Sequence, residues 1–188
     1  MRISTRRAHV RRGIPSQGAK SNYKISPDEP DDHAIGRSRG GLTTKIHALS
    51  DVQCSLVTMI LGTGQGGDNP MLEPLIIAYR DQIGGSFRLL ADKAYSHPST
   101  RTRLRAARIP HTIPERSDQI ARRKAKGSAG GRPPAFDPAI YLHRNTVERS
   151  FNRLKQWRGI ATRYDKYAMT YLGGVLLAAT IIHHRVRN

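Results

Sequence analysis

The stretch YLHRNTVERSFNRLK, residues 141–155, holds one acidic side chain, Glu148, among Arg144, Arg149, Arg153 and Lys155, and no other acid lies between Asp137 and Asp165. On a helix turning about 100° per residue, Tyr141, Arg144, Glu148 and Lys155 fall within an arc of about 60°. Ile140, Val147, Phe151 and Leu154 make a stripe of similar width beside it. Such a helix buries one face and carries its polar stripe along the edge of the contact, which sets Glu148 at the lip of a groove. A simpler reading fits the same spacing: an ordinary (i, i+4) Arg144–Glu148 pair on a solvated face, worth on the order of a few tenths of a kcal/mol.

The rest of the chain narrows the choice. With 188 residues and 37% hydrophobic content, the chain is long enough for one domain with its own core. Its 32 Lys and Arg against 14 Asp and Glu leave a formal charge of +18, which points to a polyanionic partner, nucleic acid first. Cys54 is the single cysteine, which excludes an internal disulfide and a thiolate metal cluster and suits a reducing compartment. The most apolar run, YLGGVLLAATII at 171–182, is about half the length of a membrane span and reads as a buried helix. The basic opening MRISTRRAHVRR has no apolar segment after it and does not read as a secretory signal.

Along the chain, residues 1–40 are polar and rich in Gly, Pro and Ser, and are expected to be mostly irregular after a short opening strand. The remainder, 41–188, reads as the folded domain. LTTKIHALSD and CSLVTMILGT are β-branched runs that suggest an antiparallel pair. Asp68 or Asn69 with Pro70 opens a helix over MLEPLIIAYR. FRLLADKAY and IPHTIPE read as strands with the short helix SHPSTRTRLRAAR between them. The basic, Gly/Pro-rich RSDQIARRKAKGSAGGRPPAFD reads as an exposed loop. Asp137 and Pro138 then open the helix of residues 141–155, and another runs from about Ala168 to Arg187. This order predicts an α/β fold, a central mixed sheet flanked by helices.

Asp92 ends an apolar strand segment, and ligands of open α/β sheets sit outside the carboxyl ends of strands. It reads equally as a turn or capping residue, or as a partner for Lys93. Two carboxylates, Asp92 and Glu148, at a sheet edge in so basic a protein suit magnesium, which needs few carboxylates and leaves room for phosphate oxygens.

The spacing Tyr141, Arg144, Glu148, Lys155 resembles the Y-R-E-K pattern of bacterial insertion-sequence transposases of the DDE superfamily. GRSRGGLTTKIHALSD, LADKAYS, GGRPPAFD and RNTVERSFNRLKQWRGIATRYDK resemble its insertion-sequence-five (IS-five) branch, from Asp32 to the last helix. The resemblance implies an RNase H-like fold, with Asp92 as the second catalytic Asp and Glu148 as the catalytic Glu, both metal ligands in a two-magnesium site. It implies that Arg144 and Lys155, with Tyr141 beside them, hold double-stranded DNA of the transposon ends. It also implies target DNA as a second substrate, the chain itself as a further candidate partner, no membrane, and a cytoplasmic, nucleoid-associated location. Trp157 resembles the aromatic residue that stacks on DNA near the cleaved end, and reads equally as a core tryptophan. Arg122, Arg123, Lys124 and Arg132 are candidate DNA contacts or a basic linker.

One motif departs from the family. Its first Asp stands seven residues before a histidine in text like DSTxVRAH; here Arg7, Ala8 and His9 match, but seven residues before His9 stands Arg2. No acid precedes Asp28, and Asp28, Glu29, Asp31 and Asp32 lie in a loop of the wrong context. Asp68, at a turn, is the first substitute to check. The expectation is the C-terminal catalytic part of a transposase, a remnant or a second reading frame completed by frameshifting, lacking its usual N-terminal part and inactive alone. The rival from another class is a non-catalytic basic nucleic-acid-binding protein such as a transposition repressor, indifferent to Asp92 and Glu148. The eight His show no zinc spacing.

Overall fold

The chain's structure, a computed structural model, describes residues 2–10 and 25–187. Among these residues, seven strands form one sheet: β1 Arg2–Val10, β2 Gly36–Ser38, β3 Gly41–Ser50, β4 Leu56–Thr63, β5 Leu89–Leu90, β6 His111–Thr112 and β7 Thr162–Arg163. The two β-branched runs of the sequence become β3 and β4, antiparallel from Thr44↔Thr63 to Ser50↔Leu56. On its other side β3 pairs antiparallel with β1 over Arg2↔Ser50 to His9↔Thr43. Beyond β1 the sheet turns parallel, through β5 (Arg2↔Leu90) to β6 (Leu89↔His111). The sheet is therefore mixed, as expected, and β1 stands where its antiparallel and parallel halves meet.

The opening strand is longer than the sequence suggested, nine residues. Of the irregular segment expected over residues 1–40, residues 11–24 lie outside the described ones. Residues 25–35 are turns and irregular chain before β2.

Helices cover both faces. On one, α1 (Leu72–Gln82) and α2 (Pro98–Ala106) bury Leu72, Leu75, Ile76, Tyr79 and Leu104 with Leu49, Leu89 and Ile113 of the sheet region. On the other, α5 (Asn145–Lys155) and α7 (Ala168–Arg187) bury Val147, Phe151, Leu154, Tyr171, Val175 and Ala178 against Ile46, Ala48 and Met59. Alternation along β3 separates the faces: Ile46 and Ala48 point to one core and Leu49 to the other. Each large apolar side chain removed from water contributes about 1.5–3 kcal/mol, so α5 is fixed to the sheet mainly by Val147, Phe151 and Leu154. Ser150 adds a buried hydrogen bond from its hydroxyl to the Cys54 carbonyl, 2.7 Å, tying α5 to the β3–β4 turn.

Three sequence readings need correction. The helix expected across residues 141–155 is two helices, α4 (Pro138–Leu142) and α5, so Tyr141 belongs to a different helix from Glu148. Leu142 is 73% exposed, so nothing packed holds the junction in the wider helix. The chain tightens there to short-range bonds, Arg144 N–H to Tyr141 O at 2.9 Å. The segment taken as a loop contains α3 (Ser117–Ala125) and a 3-10 turn, Gly127–Gly130. Gln119 accepts from the Arg116 N–H at the start of α3, and Asp118 places an acid in its first turn. The strand read from FRLLADKAY is only Leu89–Leu90, because the Asp92 side chain turns the chain into a 3-10 helix at Lys93–Tyr95.

Candidate active site

Asp92 follows β5 by one buried residue, Ala91. Its Oδ1 accepts from the Ala94 N–H at 2.8 Å, and Tyr95, 1% exposed, anchors that turn in the core. The capping role open to Asp92 from the sequence is thus real, and it fixes the carboxylate's orientation. Oδ2 points the other way, 3.7 Å from Arg144 Nη2.

Glu148 comes to the same place from α5. Packing of its neighbours Val147 and Phe151 sets the rotation of the helix, and Glu148 Oε1 meets Arg144 Nη2 at 3.1 Å. One guanidinium nitrogen therefore faces both carboxylates. The side chains are partly shielded, 23% exposed for Arg144, 37% for Asp92 and 27% for Glu148, which makes this pairing stronger than a solvated surface pair. Tyr141 reaches the group from α4: burial raises its pKa, the positive charge of Arg144 opposes that, and the negative charge of Asp92 adds to it. The structure thus brings together Asp92, Tyr141, Arg144 and Glu148.

The other expected residues are spread around this group. Lys155 lies exposed at the end of α5, about 10 Å along the axis from Glu148. Trp157 precedes α6 (Arg158–Ala161) and is 37% exposed, so it is not a core residue. Arg122, Arg123 and Lys124 stand on α3; Arg122 pairs with Asp118 at 3.0 Å and Arg123 with Glu115 at 2.8 Å. Arg132 is exposed just past the 3-10 turn. Gly130 seats that turn on α3, since a Cβ there would overlap the Arg123 carbonyl.

The third carboxylate does not materialise. Arg2, the position reached by counting seven residues back from His9, pairs in parallel with Leu90, two residues before Asp92. The backbone partner of Leu90, the last residue of β5, is thus an arginine position. Asp68, the candidate substitute, is committed elsewhere: it accepts from Lys45 Nζ at 2.7 Å. Among the described residues, no group of three or more His, Cys, Asp or Glu is placed to hold a metal ion. Two carboxylates with hard oxygen donors do fit one magnesium ion, which commonly takes one or two carboxylates and completes its shell with water and phosphate oxygens. They do not supply the bridging set of a two-ion site.

Two residues with clear roles were not singled out in the sequence. Glu29 caps α7, accepting from the Ala168 and Met169 N–H groups at 2.7 and 2.9 Å. Arg101 on α2 is 6% exposed and donates to the Ile113 carbonyl at 2.8 Å. No local signal marks either: Glu29 sits among three other acids, and Arg101 among Arg103, Arg105 and Arg108.

Comparison with known proteins gives the geometry a context. The family model described as "Transposase DDE domain" matches residues 11–182. A Brucella ovis protein described as a transposase for insertion sequence element IS6501 is 29% identical over 141 residues, which is 75% of this chain and 98% of that protein. No solved structure matches. The mixed α/β architecture agrees with the RNase H-like fold implied by the resemblance. Among the described residues, no helix is long and apolar enough to cross a membrane.

Proposed function

Because the chain belongs to the transposase DDE domain family, we propose that it binds the terminal DNA of an insertion element and presents Asp92 and Glu148 as ligands for magnesium in a phosphoryl-transfer site. On its motifs we assign it to the IS-five branch. The observation that carries the reading is the meeting of Asp92 and Glu148, from a strand end and a helix, at the single guanidinium of Arg144.

Magnesium, when bound, would supply charge to neutralise phosphate oxygens and would make a bound water more acidic. The chain's own groups have distinct tasks. Asp92 offers Oδ2 because Oδ1 is held by the Ala94 N–H. Glu148 offers its carboxylate from a helix locked by Val147 and Phe151. Arg144 keeps the two acids together in the absence of another cation, and its bidentate fork suits a DNA phosphate. Lys155 neutralises a phosphate farther along the strand, and exposed Trp157 offers a face on which a base can stack. The reaction class such a site would serve once its missing carboxylate is supplied is hydrolysis of a phosphodiester, followed by attack of the freed 3′-hydroxyl on a second phosphodiester.

With Arg2 at the place of the first Asp, the site is one carboxylate short, and the chain alone is expected to bind without cutting. The test is purified chain with magnesium and the element's terminal repeat: a retarded complex and no strand cleavage are expected. Cleavage abolished by Glu148→Ala would overturn the inactivity. A second reading, a charge-only binder such as a repressor, is favoured by one observation, that Arg144 already neutralises part of the pair. Such a binder would show no magnesium dependence and would bind DNA as well or better as Asp92→Asn.

A further inference from the structure

A cavity of about 680 Å³ opens between α2 and α3. From α2 and its N-cap it is lined by Arg101, Arg105 and His97, one helical turn apart; from α3 and its N-cap by Gln119, Arg123 and Arg116, spaced by three and four residues. Lys126 and Arg132 line it as well. Gln119 donates to the Ser96 carbonyl at 3.1 Å and fixes the separation of the two walls.

The acids near this cavity are already engaged. Asp118 takes Arg116 and Arg122, and Glu115 takes Arg123. Among the described residues, Arg101, Arg105, Lys126 and Arg132 have no carboxylate at ion-pair distance, although the charge of Glu115, which also lines the cavity, acts on Arg101 from farther away. Arg101 is the buried member: Nη2 is bonded to the Ile113 carbonyl, while Nη1 is shielded from water and has no hydrogen-bond partner. A buried, charged donor without an acceptor is costly, and a ligand oxygen would relieve it.

The lining contains no Phe, Tyr or Trp and a single imidazole, His97, among seven Arg and Lys side chains, so cations dominate it and its chemistry suits phosphate. Its volume is in the class that holds drug-sized ligands, more than one phosphate group requires. Ala94 lines it as well, and the Ala94 N–H is the group that holds Asp92, so the cavity opens from the turn that carries the carboxylate.

We propose that this cavity is a phosphate-binding pocket that docks the backbone of a DNA strand leading to Asp92, with Arg101 as its buried anchor and Arg105, Lys126 and Arg132 as its rim. The proposal rests on the DNA-binding reading above and adds the place where the strand is gripped.

The test uses the full chain and a duplex whose backbone phosphates are replaced one at a time by neutral methylphosphonates. The variant carries Arg105→Ala, Lys126→Ala and Arg132→Ala, three exposed positions whose loss leaves Arg101 and the core intact. Binding should weaken at least tenfold and the salt dependence should flatten by roughly 2 to 3 units of slope, about 0.9 for each phosphate that is no longer neutralised. At one or two adjacent phosphates, the penalty that a methylphosphonate causes with the unaltered chain should vanish in the variant. The Arg37→Ala chain, which loses one charge away from the cavity, should keep every penalty. Equal penalties in the unaltered chain and the triple variant at all positions would overturn the pocket and leave the DNA-binding reading standing. No binding of the duplex by the unaltered chain would overturn both. Tight binding of inorganic pyrophosphate, with the DNA penalties unchanged, would assign the cavity to a free anion and overturn the docking of a strand.

Discussion

Arg144 and Glu148 form an ion pair of 3.1 Å, and the same guanidinium nitrogen lies 3.7 Å from Asp92. A positive charge at that position competes with any metal ion for the two carboxylates. Replacing Arg144 by Ala removes the competitor, and manganese, used as a spectroscopic stand-in for magnesium, should bind about tenfold more tightly, equivalent to about 1.4 kcal/mol. The same change should weaken duplex binding severalfold, because a phosphate ligand is removed. Manganese titration by electron paramagnetic resonance and a gel-shift assay read the two effects, which have opposite signs. A substitution that weakened both would show that Arg144 is needed to shape the carboxylate pair.

Glu29 should prove to be a stability residue. Burial works to raise its pKa, but the N–H groups of Met169 and Ala168, with His33, outweigh burial, and its pKa is lowered overall. A carboxylate whose folded pKa is depressed contributes stability that is complete above its unfolded value near 4.5 and is lost as the pH falls through the lower folded value. Glu29→Ala should therefore cost about 0.5–2 kcal/mol at neutral pH, the range for a lost N-cap, and should leave magnesium binding unchanged. Urea denaturation at pH 7 and pH 3 would measure it; the deficit should shrink at the lower pH.

His47 predicts a different pH window. It is 1% exposed, and burial, partly opposed by Asp68 and reinforced by Lys45, lowers its pKa from 6.5 to about 4. Between those values the unfolded chain takes up a proton that the folded chain does not, so stability falls as the pH drops from 6.5 towards 4 and levels off below. The loss should be about 3 kcal/mol, an order-of-magnitude figure from 1.36 kcal/mol per pKa unit. His47→Gln should flatten that part of the profile in urea titrations at pH 7, 5.5 and 4.5, even though it lowers stability at every pH by disturbing a packed site.

How much of this was legible beforehand depended on whether the signal was local. The β3–β4 pair, α1, α2 and α7 followed from runs of β-branched residues and from helical periodicity; of the stripe expected at Ile140, Val147, Phe151 and Leu154, the last three are buried on α5, while Ile140 falls on α4 and is only partly buried. Asp92 and Glu148 were marked by their place, at a strand end and on a groove edge, but their meeting at Arg144 depends on tertiary packing that no spacing encodes. The division between α4 and α5 was hidden because no Gly or Pro interrupts residues 139–155; it reflects the absence of packing at Leu142. Helix α3 was masked by a composition that reads as a linker, though the Gln119 cap was written there. Arg101 was unreadable: burial selects it from a run of similar arginines, and burial is set by where α2 lands on the sheet.

In the proposed function, Asp92 and Glu148 hold a divalent cation together. The most direct measurement is a manganese titration of the full chain, repeated with Asp92→Asn and Glu148→Gln, with thermal unfolding recorded to establish that each variant is folded. One saturable ion per chain is expected, weakened at least tenfold by either substitution at nearly unchanged melting temperature. Equal manganese affinities in all three proteins would contradict it and leave the pair as a structural cap and an ion pair.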